Sequence, residues 1–164
     1  VEILAGDLEA AEAELRRDYD TLERMGETNY ISTTAALLAE VLFRQGDFDG
    51  ADECTRICEE LAAHDDVVSQ FRWRSVRAKI LASRGRFAEA ETLAREAVAL
   101  IRRSDDLNSQ AEASLDLAEV LRLADRSFEA AEEARGALAL FEAKGNTVAA
   151  AIARATLDEL AGVS

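Results

Sequence analysis

Apolar residues recur along this chain at helical spacing. Between residues 66 and 84 they fall at Val68, Phe71, Val76 and Ile80. Between 87 and 103 they fall at Phe87, Ala90, Leu93, Ala94, Ala97 and Ile101. Such periods predict amphipathic helices, each with one face to bury. The polar breaks between them also recur. Gly6-Asp7-Leu8-Glu9-Ala10-Ala11 returns as Gly46-Asp47-Phe48-Asp49-Gly50-Ala51, then as Gly85-Arg86-Phe87-Ala88-Glu89-Ala90. A weaker copy is Asp125-Arg126-Ser127-Phe128-Glu129-Ala130, and the steps are 40, 39 and 40 residues. A second echo matches Asp65-Asp66-Val67-Val68-Ser69-Gln70 to Asp105-Asp106-Leu107-Asn108-Ser109-Gln110. A fixed period of this size marks stacked helix pairs that bury their apolar faces against neighbours.

The predicted helices span residues 7–25, 28–45, 48–63, 66–84, 87–103, 107–124, 127–144 and 147–161, after a stub at 1–5. Gly46 and Gly85 suit the position just past a helix, where positive φ costs glycine little. Asp66 and Asp106 stand as N-caps before apolar runs. Ala90 and Ala97 recur as Ala130 and Ala137, so they are expected to be buried where paired helices touch. The domain reading is a half-repeat at 1–27, repeats at 28–65, 66–105 and 106–145, and a closing helix at 146–164. The start at Val1, inside a repeat and without Met, reads as a piece of a longer protein. The first helix is then expected to lack its full partner and to expose Leu8 and Leu15.

Composition agrees with helices: proline is absent, and alanine, leucine, glutamate and arginine dominate. The chain carries 19 basic and 33 acidic residues, a net charge of −14, which argues against nucleic acid or an anionic membrane as partner. No apolar run reaches the length of a membrane span and no signal peptide is visible. Cys54 and Cys58 lie one helical turn apart, a poor geometry for a disulfide, and a reducing cytoplasm fits them. They read either as half a metal site near His64 or as small apolar packing residues, and the incomplete shell favours packing. No phosphate-binding glycine loop and no HExxH occurs. Catalytic residues, cofactor and metal are each read as none.

The repeats resemble the tetratricopeptide (TPR) family. Leu38-Ala39, Gly46, Phe48, Ala51 and Cys58 match its pattern, as do Gly85, Phe87, Ala90 and Ala97, and again Leu117-Ala118, Ala130 and Ala137. The period here departs from the family's usual value of about 34, as in kinesin-light-chain-like and bacterial-regulator variants. The closing proline is missing, and Asp125 replaces the fourth turn's glycine. The resemblance implies an all-α, right-handed superhelical solenoid of antiparallel helix pairs. Residues 39–48, with the run 108–145, also look like the C-terminal repeat region of large actinobacterial signalling proteins. There a class III cyclase domain and an ATPase module precede such repeats. Neither set of motifs lies in this chain, so no catalytic residue carries over.

In TPR arrays the first helix of each pair lines a concave groove. That places Arg72, Ser75 and Lys79 on the groove face at i, i+3 and i+7, inside the segment Arg72-Trp73-Arg74-Ser75-Val76-Arg77-Ala78-Lys79. Aligned positions are Thr33, Ala36, Glu40 and Phe43 before it and Glu112, Leu115, Glu119 and Arg122 after it, with Arg44 alongside. Two readings follow. The strip receives an acidic or C-terminal peptide; or Arg72 and Lys79 pair internally with Glu40, Glu112 or Glu119, while Trp73 packs between helices. The carboxylate-clamp pattern of chaperone-binding TPRs is not supplied by Thr33, Ala36 and Glu40. The functional expectation is a non-catalytic scaffold for protein or peptide contact, including domains of its own parent chain. The alternatives are a ligand-sensing module that controls an upstream ATPase or cyclase, and an oligomerisation module that forms a homodimer through an exposed terminal helix.

Overall fold

The computed structural model describes residues 7–162, apart from the Asn29 side chain. The stub predicted at residues 1–5 lies outside the described residues. The fold is all-α: α1 (Leu8–Met25), α2 (Thr28–Gln45), α3 (Phe48–Leu61), α4 (Val67–Ser83), α5 (Phe87–Ile101), α6 (Leu107–Leu123), α7 (Ser127–Lys144) and α8 (Thr147–Gly162). No strand occurs among the described residues. No helix among them is long and apolar enough to cross a membrane.

Local chemistry sets the ends. The Asp7, Asp47, Asp66 and Asp106 side chains accept backbone N–H bonds at the starts of α1, α3, α4 and α6. These satisfy donors that a helix cannot pair internally. Four helices end earlier than their apolar period suggests. After Leu61 the chain turns extended at Ala62, with φ −68° and ψ 123°, so α3 stops short of residue 63. Likewise, α4 closes at Ser83, α5 at Ile101 and α6 at Leu123. Gly26, Gly46, Gly85 and Gly145 all adopt positive φ, and Asp125 joins them at φ 61°. Asp125 therefore does the work of the missing fourth glycine, in a region that aspartate tolerates better than most residues.

Each helix packs on the next in the chain, and α2, α4 and α6 also touch side by side. Ala51, Ala90 and Ala130 are fully buried, as are Cys58, Ala97 and Ala137 two turns later. These small residues let the paired backbones approach, and larger side chains fill the layers between them. Phe71, Leu117, Val120, Leu121 and Ile101 belong to one cluster that runs through the middle of the array.

The first helix differs from its expected state. Leu8 and Leu15 are half-buried, not exposed. Leu15 packs on the cluster of Leu38, Leu42 and Ala51. The outward position of α1, where later copies bury Cys58, Ala97 and Ala137, holds an exposed Asp18. The correction is physical: Leu15 is covered by side chains of α2 and α3, and the exposed outward position is held by the charged Asp18.

Candidate functional site

The face shared by α2, α4 and α6 gathers the residues singled out in sequence. Lys79 on α4 is only 4% exposed. Its ammonium donates to Glu40 of α2 at 2.6 Å and pairs with Asp116 of α6 at 2.7 Å. The same nitrogen lies 5.1 Å from the centre of the Phe43 ring. One side chain thus ties three helices. Such burial is tolerable only because the charge is paired on two sides. Two turns earlier, Arg72 pairs with Glu112 of α6 at 2.9 Å. Arg44 holds Glu40 from its own helix at 2.7 Å, and Arg122 holds Glu119 at 2.7 Å. Ser75 is buried on α4, and Ser69 bonds Thr33 of α2 at 3.1 Å.

Lys79 is therefore no hook for an acidic segment. It lies beneath its partners, with a side chain 5% exposed against 20% for Glu40 and 23% for Asp116. The same order holds at Arg72, 27% exposed beside a Glu112 that is 43% exposed. The strip is basic in sequence, yet at its centre the acidic side chain is the more exposed member of each pair. Asp116 is the member that sequence alignment did not name. Register placed Glu119 opposite Lys79, whereas the stacked helices put Asp116 there, three residues earlier, and Glu119 turns to Arg122 instead. A signal existed: Asp116 is four residues from Glu112 and shares its face.

The electrostatics follow this layering. Burial disfavours the Lys79 charge, but Asp116 and Glu40 together outweigh it and hold its pKa above the ordinary lysine value. Glu40 is penalised by burial, yet Lys79 and Arg44 keep its carboxyl below the usual range. Asp116 pairs with Lys79 alone among the cations of the described residues. Its burial, with Glu40 nearby, leaves it above the usual range despite Lys79. Glu112 is raised for the same first cause, with Arg72 pulling it down and Asp116 pushing it up.

The other singled-out groups lie away from this face. Trp73 is buried among Ala35, Ala36, Cys58 and Ala62. Its ring lies under the Arg74 and Arg77 guanidinium groups at 4.1 and 4.5 Å. Arg77 then reaches α3, donating to Thr55 at 3.1 Å and Glu59 at 2.5 Å. Cys54 and Cys58 are buried free thiols, pushed up by burial to about 11 and about 12. His64 is exposed in the α3–α4 turn. Among the described residues no group of three or more His, Cys, Asp or Glu side chains is placed to hold a metal ion.

No family model matches this chain, and no curated protein matches it. Among solved structures it is similar to the crystal structure of BtubC (BKLC) from P. vanneervenii, with 19% identity and a TM-score of 0.65. The match covers 93% of this chain and 65% of that one, so this chain spans about two thirds of its neighbour's length. At that identity the likeness is one of fold alone.

Proposed function

We propose that the chain is a non-catalytic protein-interaction module, a TPR-like right-handed solenoid of helix pairs whose α2–α4–α6 face holds a segment of another protein or of its own parent. The repeated turn phrase, the side-by-side contact of α2, α4 and α6 and the fold likeness to BtubC support the solenoid reading. The resemblance to actinobacterial regulator repeats supports a place in a bacterial cytoplasmic signalling protein. The domain reading stays as a half-repeat, three repeats and a closing helix.

One observation carries the choice of partner. At the centre of this face the side chains of Glu40, Glu112 and Asp116 are each more exposed than the Lys79 or Arg72 side chain they pair with. In a chain with a net charge of −14, such a face suits a segment bearing lysine or arginine. The test is selection of immobilised peptides of graded charge by the purified chain. Basic peptides are retained, and Glu112→Gln weakens their retention without changing the melting temperature by more than a degree or so. Preference for acidic peptides, or retention indifferent to Glu112→Gln, would overturn the reading.

A further inference from the structure

The starts of α4, α6 and α8 present matched positions on one face. Val68, Asn108 and Val148 stand forty residues apart, and so do Arg72, Glu112 and Ile152, one helical turn further on. Burial runs in the same register. Ser69, Ser109 and Ala149 are buried, as are Trp73, Ala113 and Ala153. Asn146, at the start of α8, donates to Asn108 of α6 at 3.2 Å. Ala111 of α6 packs with Ala150 and Ala153 of α8. So α8 continues the layer made by α2, α4 and α6.

In that layer α4 lies between α2 and α6, and α6 between α4 and α8. Even so, Val68 on α4 is 38% exposed and the Glu112 side chain on α6 is 43% exposed. Val148 and Ile152 on α8 are 56% and 45% exposed at the matching places. These positions thus stay open where a helix stands on either side. Their chemistry has a definite order across the layer: aliphatic on α4, amide and carboxylate on α6, aliphatic on α8. Arg72 pairs with Glu112 at Oε2. Among the described residues no hydrogen bond or ion pair engages Oε1 of Glu112, and the side-chain N–H groups of Asn108 donate to nothing.

We propose that this row is the specificity subsite of the interaction face, and that it takes an extended segment with one lysine or arginine and an aliphatic residue about three positions to either side. The inference rests on the reading of that face as a surface for basic segments. The cation meets the free oxygen of Glu112, in a chain whose net charge of −14 repels an acid at the same place. The flanking side chains cover Val68 on one side and Val148 with Ile152 on the other. Packed helices lie about 8–10 Å apart, and an extended chain advances about 3.3 Å per residue, which sets the spacing. The Asn108 amide donates to a main-chain carbonyl, a group that an extended segment leaves unpaired and a helical one does not.

Fluorescence anisotropy of short labelled peptides against the intact chain tests it. Peptides of equal charge are compared: a serine peptide with a central lysine, the same with leucine three positions to either side, and the same with both leucines beside the lysine. The spaced leucines are expected to tighten binding by about tenfold or more, and the adjacent ones by less. Val68→Ser and Ile152→Ser, both at exposed positions, each shrink that preference by about threefold or more with unchanged melting. Phe128→Ser, at an exposed position on α7, leaves the preference as it was. Equal binding of the serine and spaced-leucine peptides overturns the inference, as do adjacent leucines that serve equally well. A preference that survives both Val68→Ser and Ile152→Ser also overturns it. In each of these cases, binding that still weakens with Glu112→Gln keeps the reading of the face. If no peptide binds, or none is weakened by Glu112→Gln, both fall.

Discussion

Replacing Lys79 with methionine isolates the tie between three helices. Methionine keeps the length of the side chain and its packing beside Phe43, but removes the ammonium. Glu40 keeps Arg44 at 2.7 Å, so its loss is partial. Asp116 keeps no cation of its own and is already raised above the usual range with Lys79 present. Removing one partner of a fully buried pair costs about 3–5 kcal/mol. Both carboxylates here are about one-fifth exposed, so water relieves part of that. The expected loss is about 2–4 kcal/mol. Urea denaturation followed by circular dichroism measures it, and hydrogen exchange locates it. Protection should fall in α2, α4 and α6 together, because Lys79 contacts all three. Lys79→Met/Asp116→Leu should recover most of the loss, since an apolar pair leaves no orphaned charge. A loss under about 1 kcal/mol in Lys79→Met, or a double variant no better than the single, would refute the claim that Asp116 is held by this lysine alone.

Other outcomes follow from the same geometry. Ala90→Leu adds bulk at a fully buried helix contact and should lower stability by about 1–3 kcal/mol in thermal melts. Asp125→Gly relieves a non-glycine residue at φ 61° and should raise the melting temperature by about 1–2 °C, the part left after glycine's larger unfolded-state entropy. Cys54 and Cys58 should stay silent to a thiol reagent at mildly alkaline pH until the chain is unfolded, when both react. In melts against pH, Glu40 and Glu112 should act in opposite senses. Glu40, held below 4.5, contributes stability that is present above that value and lost as pH falls, so Glu40→Gln should flatten the acid limb. Glu112, held above 4.5, binds its proton more readily when folded, so its contribution declines as pH rises past 4.5, and Glu112→Gln should remove that decline.

The helices were legible because several local signals agree at each boundary. Asp47 caps α3 and Gly46 ends α2 in adjacent positions, and the small residues Ala51, Ala90 and Ala130 recur in step with them. Agreement between capping, turn chemistry and period is what makes a sequence specific. The pairs Lys79–Glu40 and Arg72–Glu112 were also within reach, since residues 39 and 40 apart face each other across stacked helices. Register alone did not give Asp116, although its spacing of four from Glu112 placed it on the same face, because the 40-residue period fixes which helices meet but not their stagger. A shift of three residues along α6 trades Glu119 for Asp116. The burial of Lys79 was hidden for a related reason. Alternating charged and apolar residues from Arg72 to Lys79 look like a solvated face on one helix, and only contact from α2 and α6 turns that face inward. The last repeat shows where the period could have been read further. Aligning Asp52 and Glu91 with Ala131, and Cys58 and Ala97 with Asp18, needs no coordinates. Those two departures put a charge on α1 where later copies are apolar, and an alanine on α7 where earlier copies are acidic. The repeat thus identifies the fold by what recurs, and its individual positions by where recurrence fails.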